Sequence, residues 1–228
     1  MITNELIFVA HLAAVSSMVL GFAILGKEAL IALISIFFLL ANIFVIKQIE
    51  LFNFNATGAD VFIIGIAFAI NLLQEGWGIQ ISRKAIWISF STSLLYLCMS
   101  KFHLWYDPAS FDSTHAHFAI LLHHSTRIIA ASFTSYLIVQ LFDTSVYAYI
   151  KKQTEGKYLI LRNYASMLSS QLLDTFLFSF LGLYGIVDNI WHIIFVSYFI
   201  KMLAIFLTTP FIYLARPILK WHAEKTQS

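Results

Sequence analysis

Charge is what this sequence has least of. Only 11% of its 228 residues are Asp, Glu, Lys or Arg, and 60% are hydrophobic, against about 25% and about 45–50% in a typical soluble domain. A water-soluble globule of this size would need several times more charge to cover its surface, whereas in lipid exposed apolar surface costs nothing. The expected medium is therefore a bilayer. A net charge of +2, with no Lys/Arg tract, excludes the electrostatic footprint of a nucleic-acid-binding protein. The single cysteine, Cys98, can close no intramolecular disulfide and cannot alone build a thiolate metal site. There is no Gly/Ser linker and no sign of a second domain. The opening Met1-Ile-Thr-Asn-Glu5 lacks the basic segment and cleavage site of a secretory signal, so the apolar run that follows reads as a retained helix.

What is present is a series of apolar runs of the length a bilayer requires, about 20 residues each. Dividing the chain at its charges and polar clusters predicts seven spanning helices: Leu6 to Gly26, Ala29 to Ile46, Gly58 to Gly78, Ala85 to Leu104, Ile128 to Ile150, Tyr164 to Ile186 and Ile190 to Leu214. The fold class is an all-α membrane bundle forming one integral membrane domain, with residues 215–228 as a cytoplasmic tail. Cytoplasmic loops carry the excess of Lys and Arg. With the N-terminus outside, Lys27, Arg83, Lys84, Lys151, Lys152, Lys157, Arg162, Arg216, Lys220 and Lys225 all fall on the inner side, and only Lys47 and Lys101 fall outside. The remaining two, Arg127 and Lys201, lie at or within the membrane. The expected topology is N-out, C-in, in a bacterial inner membrane.

One stretch does not fit a span. Tyr106 to Thr126 combines Asp107, Pro108, Asp112, His115, His117, His123 and His124 with a short apolar run from Phe118 to Leu122. It is expected to be an outer loop with a half-helix at the interface. The eight histidines offer no pair at metal-ligand spacing on a spanning helix, and loop solvation is the better account of most of them. No metal or cofactor is expected.

Ionisable groups inside the bilayer cost about 2.5–3.5 kcal/mol each on insertion scales, and so are candidates for function. In the third span Asp60, Asn71 and Glu75 fall within about a 60° arc. An alternative for Glu75 is a salt bridge with Arg83 or Lys84 at the inner interface. In the fifth span Ser132, Tyr136, Gln140, Asp143 and Tyr147 fall within about an 80° arc, with Arg127 well off it. In the sixth, Asn163, Ser170, Gln171 and Asp174 face one way. These two helices share a Gln-Leu-X-Asp-Thr core, at 140–144 and 170-series positions 171–175. Running antiparallel from one cytoplasmic loop, they would bring Asp143 about 10 Å and Asp174 about 15 Å from that end. That arrangement is like the paired sites of transporters built on inverted elements, with chance as the alternative. Lys201, mid-span in the seventh helix, should pair with Asp143 or Asp174 rather than reach water; a purely structural ion pair is its simpler reading. Asn42 completes the set, with an interhelical hydrogen bond as the plain alternative. Tyr136, Tyr147 and Phe178 lie beside the polar arcs and could stack a planar ligand.

Several stretches, in this order and spacing, resemble the YhhQ/VUT family of queuosine precursor transporters: Ala41-Asn-Ile-Phe-Val-Ile-Lys47, Asn71-Leu-Leu-Gln-Glu-Gly-Trp-Gly78, Arg127-Ile-Ile-Ala-Ala-Ser132 with Gln140 and Asp143, Gln171-Leu-Leu-Asp-Thr175, and Lys201 with Pro210. The resemblance covers roughly Ala29 to Leu214. It implies a six-helix transport core over 29–214, similar to the substrate-binding components of vitamin transporters, with residues 1–28 as an extra N-terminal helix. The chain departs from the family pattern at Asn71, where Asp is common. The implied substrate is a 7-deazaguanine base: preQ0, preQ1 or queuine, destined for tRNA modification. Its 2-amino-pyrimidinone edge presents two adjacent donors that a carboxylate accepts in bidentate fashion. The candidate substrate-binding set is thus Asn42, Asn71, Glu75, Arg127, Tyr136, Gln140, Asp143, Asn163, Gln171, Asp174 and Lys201. Two rival readings are a substrate-binding component that needs an ATP-driven partner, and an intramembrane enzyme, which would lack a Ser/His or Cys/His pair. Oligomeric state is not encoded in any visible pattern, and a homodimer is compatible with the sequence.

Overall fold

The structure is a computed structural model describing residues 3–45, 47–122, 126–185 and 189–227. Its elements run α1 (Asn4–Leu25), α2 (Lys27–Phe44), β1 (Gln48–Leu51), β2 (Phe54–Thr57), α3 (Asp60–Trp77), α4 (Ile79–Trp105), α5 (His115–Leu122), α6 (Thr126–Gln153), α7 (Leu159–Phe178) continuing into a π-helical turn (Ser179–Leu183), α8 (Ile190–Leu207) and α9 (Thr209–Gln227). Seven of these helices are long and apolar enough to cross a membrane. The all-α multi-span class expected from the sequence is what forms.

The corners explain why consecutive spans are antiparallel. Gly26 (φ 112°) separates α1 from α2 and Gly78 (φ 88°) separates α3 from α4. Both sit in a left-handed region that a residue with a Cβ enters only under strain, so each reverses the chain with a single residue. The bundle therefore has two ends. One, the corner end, carries Gly26, Gly78, the 154–158 loop and α9. The other carries β1, β2 and α5.

At the centre stands α3. Fourteen of its eighteen residues are buried, from Asp60 to Gln74 with one gap, and it touches α1, α2, α4, α6, α7, α8 and α9. A helix apolar or small on nearly every side is stable only when surrounded by protein or lipid. The outer helices turn large apolar side chains such as Leu6, Met18, Leu95, Phe195 and Phe206 outward, which is the surface expected where the surroundings are hydrocarbon.

Three features differ from the sequence-based expectation. Residues 48–57, expected as loop, form an antiparallel hairpin in which Gln48 pairs with Thr57 and Leu51 with Phe54. Phe52 (φ 53°) and Asn53 (φ 63°) make its two-residue turn, the positive-φ geometry that matches strand twist. The Asn-Gly signal usual for such turns is missing, which is why the hairpin is hard to see in the sequence. It is tied to α1: Glu5 Oε1 accepts from the Phe52 amide at 3.0 Å and Asn4 Nδ2 donates to the Glu50 carbonyl at 3.0 Å.

The seventh span ends at Leu207, not Leu214, and what was expected to be a tail is α9. Pro210, at the second position of α9, suits a first turn whose amides have no helical acceptors and marks a helix start. On α9, Ile212 and Ala215 are buried, and a His222 ring nitrogen lies 2.8 Å from the Ala23 carbonyl of α1. The third difference concerns α4 and α7, which begin at Ile79 and Leu159, five or six residues before the predicted Ala85 and Tyr164. The half-helix expected between Phe118 and Leu122 is present as α5. Before it, the Asp112 carboxylate accepts from both the amide and the hydroxyl of Thr114 at 2.7 Å, which holds its pKa below the usual value. The expected histidines His123 and His124 lie outside the described residues, as do Ile46 and Ile186.

Candidate functional site

The polar face predicted on α3 exists, and its three members meet three different sets of partners. At the corner end, Glu75 is saturated. It receives Arg162 Nη2 at 2.7 Å and Nε at 3.1 Å, the Tyr147 hydroxyl at 2.7 Å, and Lys151 Nζ at 3.2 Å. Arg162 is itself spent: Nη1 donates to the Gly156 and Lys157 carbonyls, each at 2.8 Å. The expected partners of Glu75, Arg83 and Lys84, are not used, and Arg83 instead donates to Ser145 Oγ at 3.2 Å. The correction has a simple cause. Arg162 was counted as a loop charge, but α7 begins early enough to carry it as a buried residue facing α3 and α6.

One turn back along α3, the pattern inverts. Asn71 donates to Ser166 Oγ at 3.0 Å, but its Oδ1 has no partner. Asp143 on α6 is fully buried, and neither carboxylate oxygen receives a hydrogen bond. The Ser166 and Ser170 hydroxyls lie against it within reach of a hydrogen bond, and they also reach backbone carbonyls of their own helix, Asn163 and Met167 respectively. On the same helix and on the facing α7, Gln140 Oε1, Asn163 Oδ1 and both amide atoms of Gln171 are also buried and unpartnered. Native interiors pair the great majority of their buried polar atoms, so a cluster of exceptions calls for an account. Charge worsens the imbalance, since a buried carboxylate is costly without a compensating group.

At the hairpin end, Asp60, Asp174 and Lys201 come from α3, α7 and α8. Lys201 Nζ donates to Asp174 Oδ2 at 2.6 Å and reaches Thr175 Oγ1 at 3.4 Å. Of the two partners expected for Lys201, it takes Asp174 and leaves Asp143 alone. Asp60 is nine-tenths buried and lies within the field of both charges.

The other predicted residues stand apart. Asn42 donates to the Phe38 carbonyl at 2.8 Å and accepts from Ser132 Oγ at 3.1 Å. Tyr136 stacks on Phe38 with centroids 3.7 Å apart, and its hydroxyl lies 2.5 Å from Ser89 Oγ. Arg127 donates to the Leu181 and Tyr184 carbonyls at 2.8 and 2.7 Å; it satisfies carbonyls at and just beyond the π-helical turn, and this explains its place off the arc of α6. The sequence reading missed Arg162, Ser166 and Gln74, whose Nε2 donates to the Thr144 carbonyl at 2.8 Å. The signal for Ser166 was the position of Asn163 and Ser170 on α7, whose face it continues at helical spacing. An apolar cleft of about 470 Å³ opens elsewhere, between α4 and α5, and shares no lining residue with this polar interior. Asn71, Asp143 and Gln171 are fully buried.

The sequence was compared with known proteins. The profile of the family described as "Putative vitamin uptake transporter" matches residues 57–215. A protein of Bacillus subtilis (strain 168) named "Probable queuosine precursor transporter" is 33% identical over 199 residues, covering 85% of this chain and 86% of that protein. No solved structure matches the chain.

Proposed function

Because the chain belongs to the vitamin uptake transporter family, we propose that it imports a queuosine precursor, a 7-deazaguanine base, and binds it between α3, α6 and α7 with Asp143 at the centre. The observation that carries this reading is the imbalance around Asp143. Five buried residues there, Asn71, Gln140, Asp143, Asn163 and Gln171, present six unpartnered oxygens and one unpartnered nitrogen. Turning an amide by 180° exchanges one acceptor for one donor, but the two carboxylate oxygens remain acceptors in any assignment. The complementary ligand must bring donors. A 7-deazaguanine offers two adjacent donors on its 2-amino-pyrimidinone edge for the carboxylate, a carbonyl for an amide, and a pyrrole N–H.

In this assignment Asp143 reads the guanine-like edge, Gln140, Gln171, Asn71 and Asn163 complete the hydrogen bonds, and the Tyr136 ring, about one turn from Gln140 and about two from Asp143 along α6, is a candidate stacking face. The Glu75, Arg162, Tyr147 and Lys151 network closes the corner end. Besides the buried Arg162, that end carries nine basic residues at its loops, its helix ends and α9, which supports its being cytoplasmic, with the N-terminus outside. Asn42 and Arg127, whose donors are engaged elsewhere in the bundle, are left out of the binding set, as is the paired Asp174 and Lys201.

The test is uptake by the purified chain alone in proteoliposomes, with preQ0, preQ1 and queuine competing. Saturable uptake inhibited by at least one of the unlabelled bases, and lost in Asp143→Asn at unchanged protein level, is the expected result. Uptake that persists in that variant refutes the site, and uptake that requires an added ATP-hydrolysing partner refutes autonomous transport.

A further inference from the structure

The groove between α4 and α5 carries along its length the chemistry of a phospholipid, and we propose that it seats one whose head ends in an ammonium, phosphatidylethanolamine, with an acyl chain lying between the two helices. None of the substrate-site residues takes part, so the proposal stands whether or not a 7-deazaguanine is the cargo.

The first part of the groove is apolar. A cleft of about 470 Å³ is lined by Ile43 from α2, Met99 from α4, and Phe118 and Leu121 from α5. α5 buries none of its residues, and Phe118, Ile120 and Leu121 are all exposed. A helix of eight residues with that much bare apolar surface belongs at the boundary of the hydrocarbon, where acyl chains cover it. One hydroxyl interrupts the apolar lining. Ser100 faces the cleft although it is only 7% exposed, and its hydroxyl has no hydrogen-bond partner among the described residues. A buried donor requires an acceptor, and hydrocarbon offers none. The ester carbonyl at the head of an acyl chain supplies one.

One turn further along α4 stands His103, edge-on to Phe118 with ring centroids 5.2 Å apart. Both residues also line a second hollow of about 230 Å³, so the two spaces are continuous. Asp107 and Asp112 line this hollow, and no lysine or arginine does; Lys101 on α4 borders neither space. Asp112 is fixed by the amide and hydroxyl of Thr114, whereas Asp107 has no ion pair or hydrogen bond among the described residues. Trp105 and Tyr106, exposed at the end of α4, mark the level at which aromatic side chains meet lipid head groups. The sequence of groups is therefore apolar cleft, hydroxyl, imidazole, carboxylates. It matches acyl chain, ester, phosphate and ammonium in the same order, with the imidazole N–H donating to the phosphate and the ammonium donating to the carboxylates. A head that is anionic throughout would set like charge against Asp107 and Asp112 and is rejected on that ground.

The test is native mass spectrometry of the full chain in detergent, offered equal amounts of phosphatidylethanolamine and phosphatidylglycerol with identical acyl chains. One retained lipid is expected, with the ethanolamine head favoured by about fivefold, the scale of an exposed ion pair. Asp107→Asn combined with Asp112→Asn should erase the preference while a lipid is still retained. Leu121→Trp, which fills the cleft, should remove retention of both lipids. Equal retention by the wild type, a preference for phosphatidylglycerol, or a preference that survives the double substitution overturns the proposal, and so does undiminished retention in Leu121→Trp.

Discussion

The five residues Gln140-Leu-Phe-Asp-Thr144 and the five residues Gln171-Leu-Leu-Asp-Thr175 are nearly the same text set in two environments. Asp143 is fully buried with no cation beside it, and its nearest donors are the Ser166 and Ser170 hydroxyls. Asp174 lies at the edge of the interior, bound to an ammonium at 2.6 Å. Thr144 closes onto its own helix, donating to the Leu141 carbonyl at 3.0 Å, whereas Thr175 both holds the Gln171 carbonyl and meets Lys201. The lesson is that a repeated motif fixes which groups are delivered, and the neighbouring helix fixes what they are worth. α6 delivers its acid to α3 and α7, which hold no cation at that level. α7 delivers the same acid to α8, which does.

The largest expected effect breaks the comparison at its functional side. Asp143→Asn removes a charge-assisted bidentate acceptor and should lower uptake by about two orders of magnitude, the scale of a lost charged hydrogen bond pair. Its thermal stability in detergent should stay level or rise, because the carboxylate it removes has no partner to lose. A fall in stability matching the fall in uptake would mean that Asp143 is structural.

Lys201→Met breaks it at the paired side. It leaves Asp174 without its counter-charge and should destabilise by about 3–5 kcal/mol, with Lys201→Met/Asp174→Leu recovering much of the loss. Thermal unfolding of the two variants side by side checks this. An equal loss in the single and double variants would show that packing, and not charge, is what Lys201 supplies.

Arg162→Lys sharpens the contrast with the saturated corner end. The ammonium keeps the charge but cannot present the guanidinium fork that reaches Glu75 through two nitrogens while holding the 156 and 157 carbonyls. A cost of about 1–3 kcal/mol follows from the abandoned carbonyls. Limited proteolysis of the 154–158 loop should accelerate in the same variant.

How much of this was readable beforehand depends on what kind of contact was involved. The faces of α3, α6 and α7 followed from helical periodicity, and Asn71, Asp143 and Gln171 are all buried on them. The pairing of Lys201 with an acid followed from the expense of a lone charge in lipid, and which acid did not, because the choice falls to the helix against which α8 packs, and that is α7. The hairpin was not readable, since four-residue strands around a Phe-Asn turn carry little local signal. Arg162 was misplaced because a rule that assigns basic residues to loops has no means of noticing one that folds back into the bundle to meet Glu75. The binding set drawn from sequence mixed residues whose hydrogen bonds are satisfied, such as Asn42 and Arg127, with residues whose bonds are open. No periodicity separates these two classes.

The smallest effect uses the two copies as each other's control. Thr144→Val and Thr175→Val remove the same hydroxyl from the same position of the motif. Thr144 gives up a hydrogen bond to the Leu141 carbonyl of its own helix, a bond that competes with regular helix geometry, so its loss should cost well under about 1 kcal/mol. Its carbonyl, which receives Gln74, is untouched. Thr175 gives up an oxygen next to a buried ammonium, so its substitution should cost about 1 kcal/mol more than the first. Equal behaviour of the two valine variants in stability would mean that the two copies are equivalent after all, and that the ammonium of Lys201 gives Thr175 nothing that Thr144 lacks.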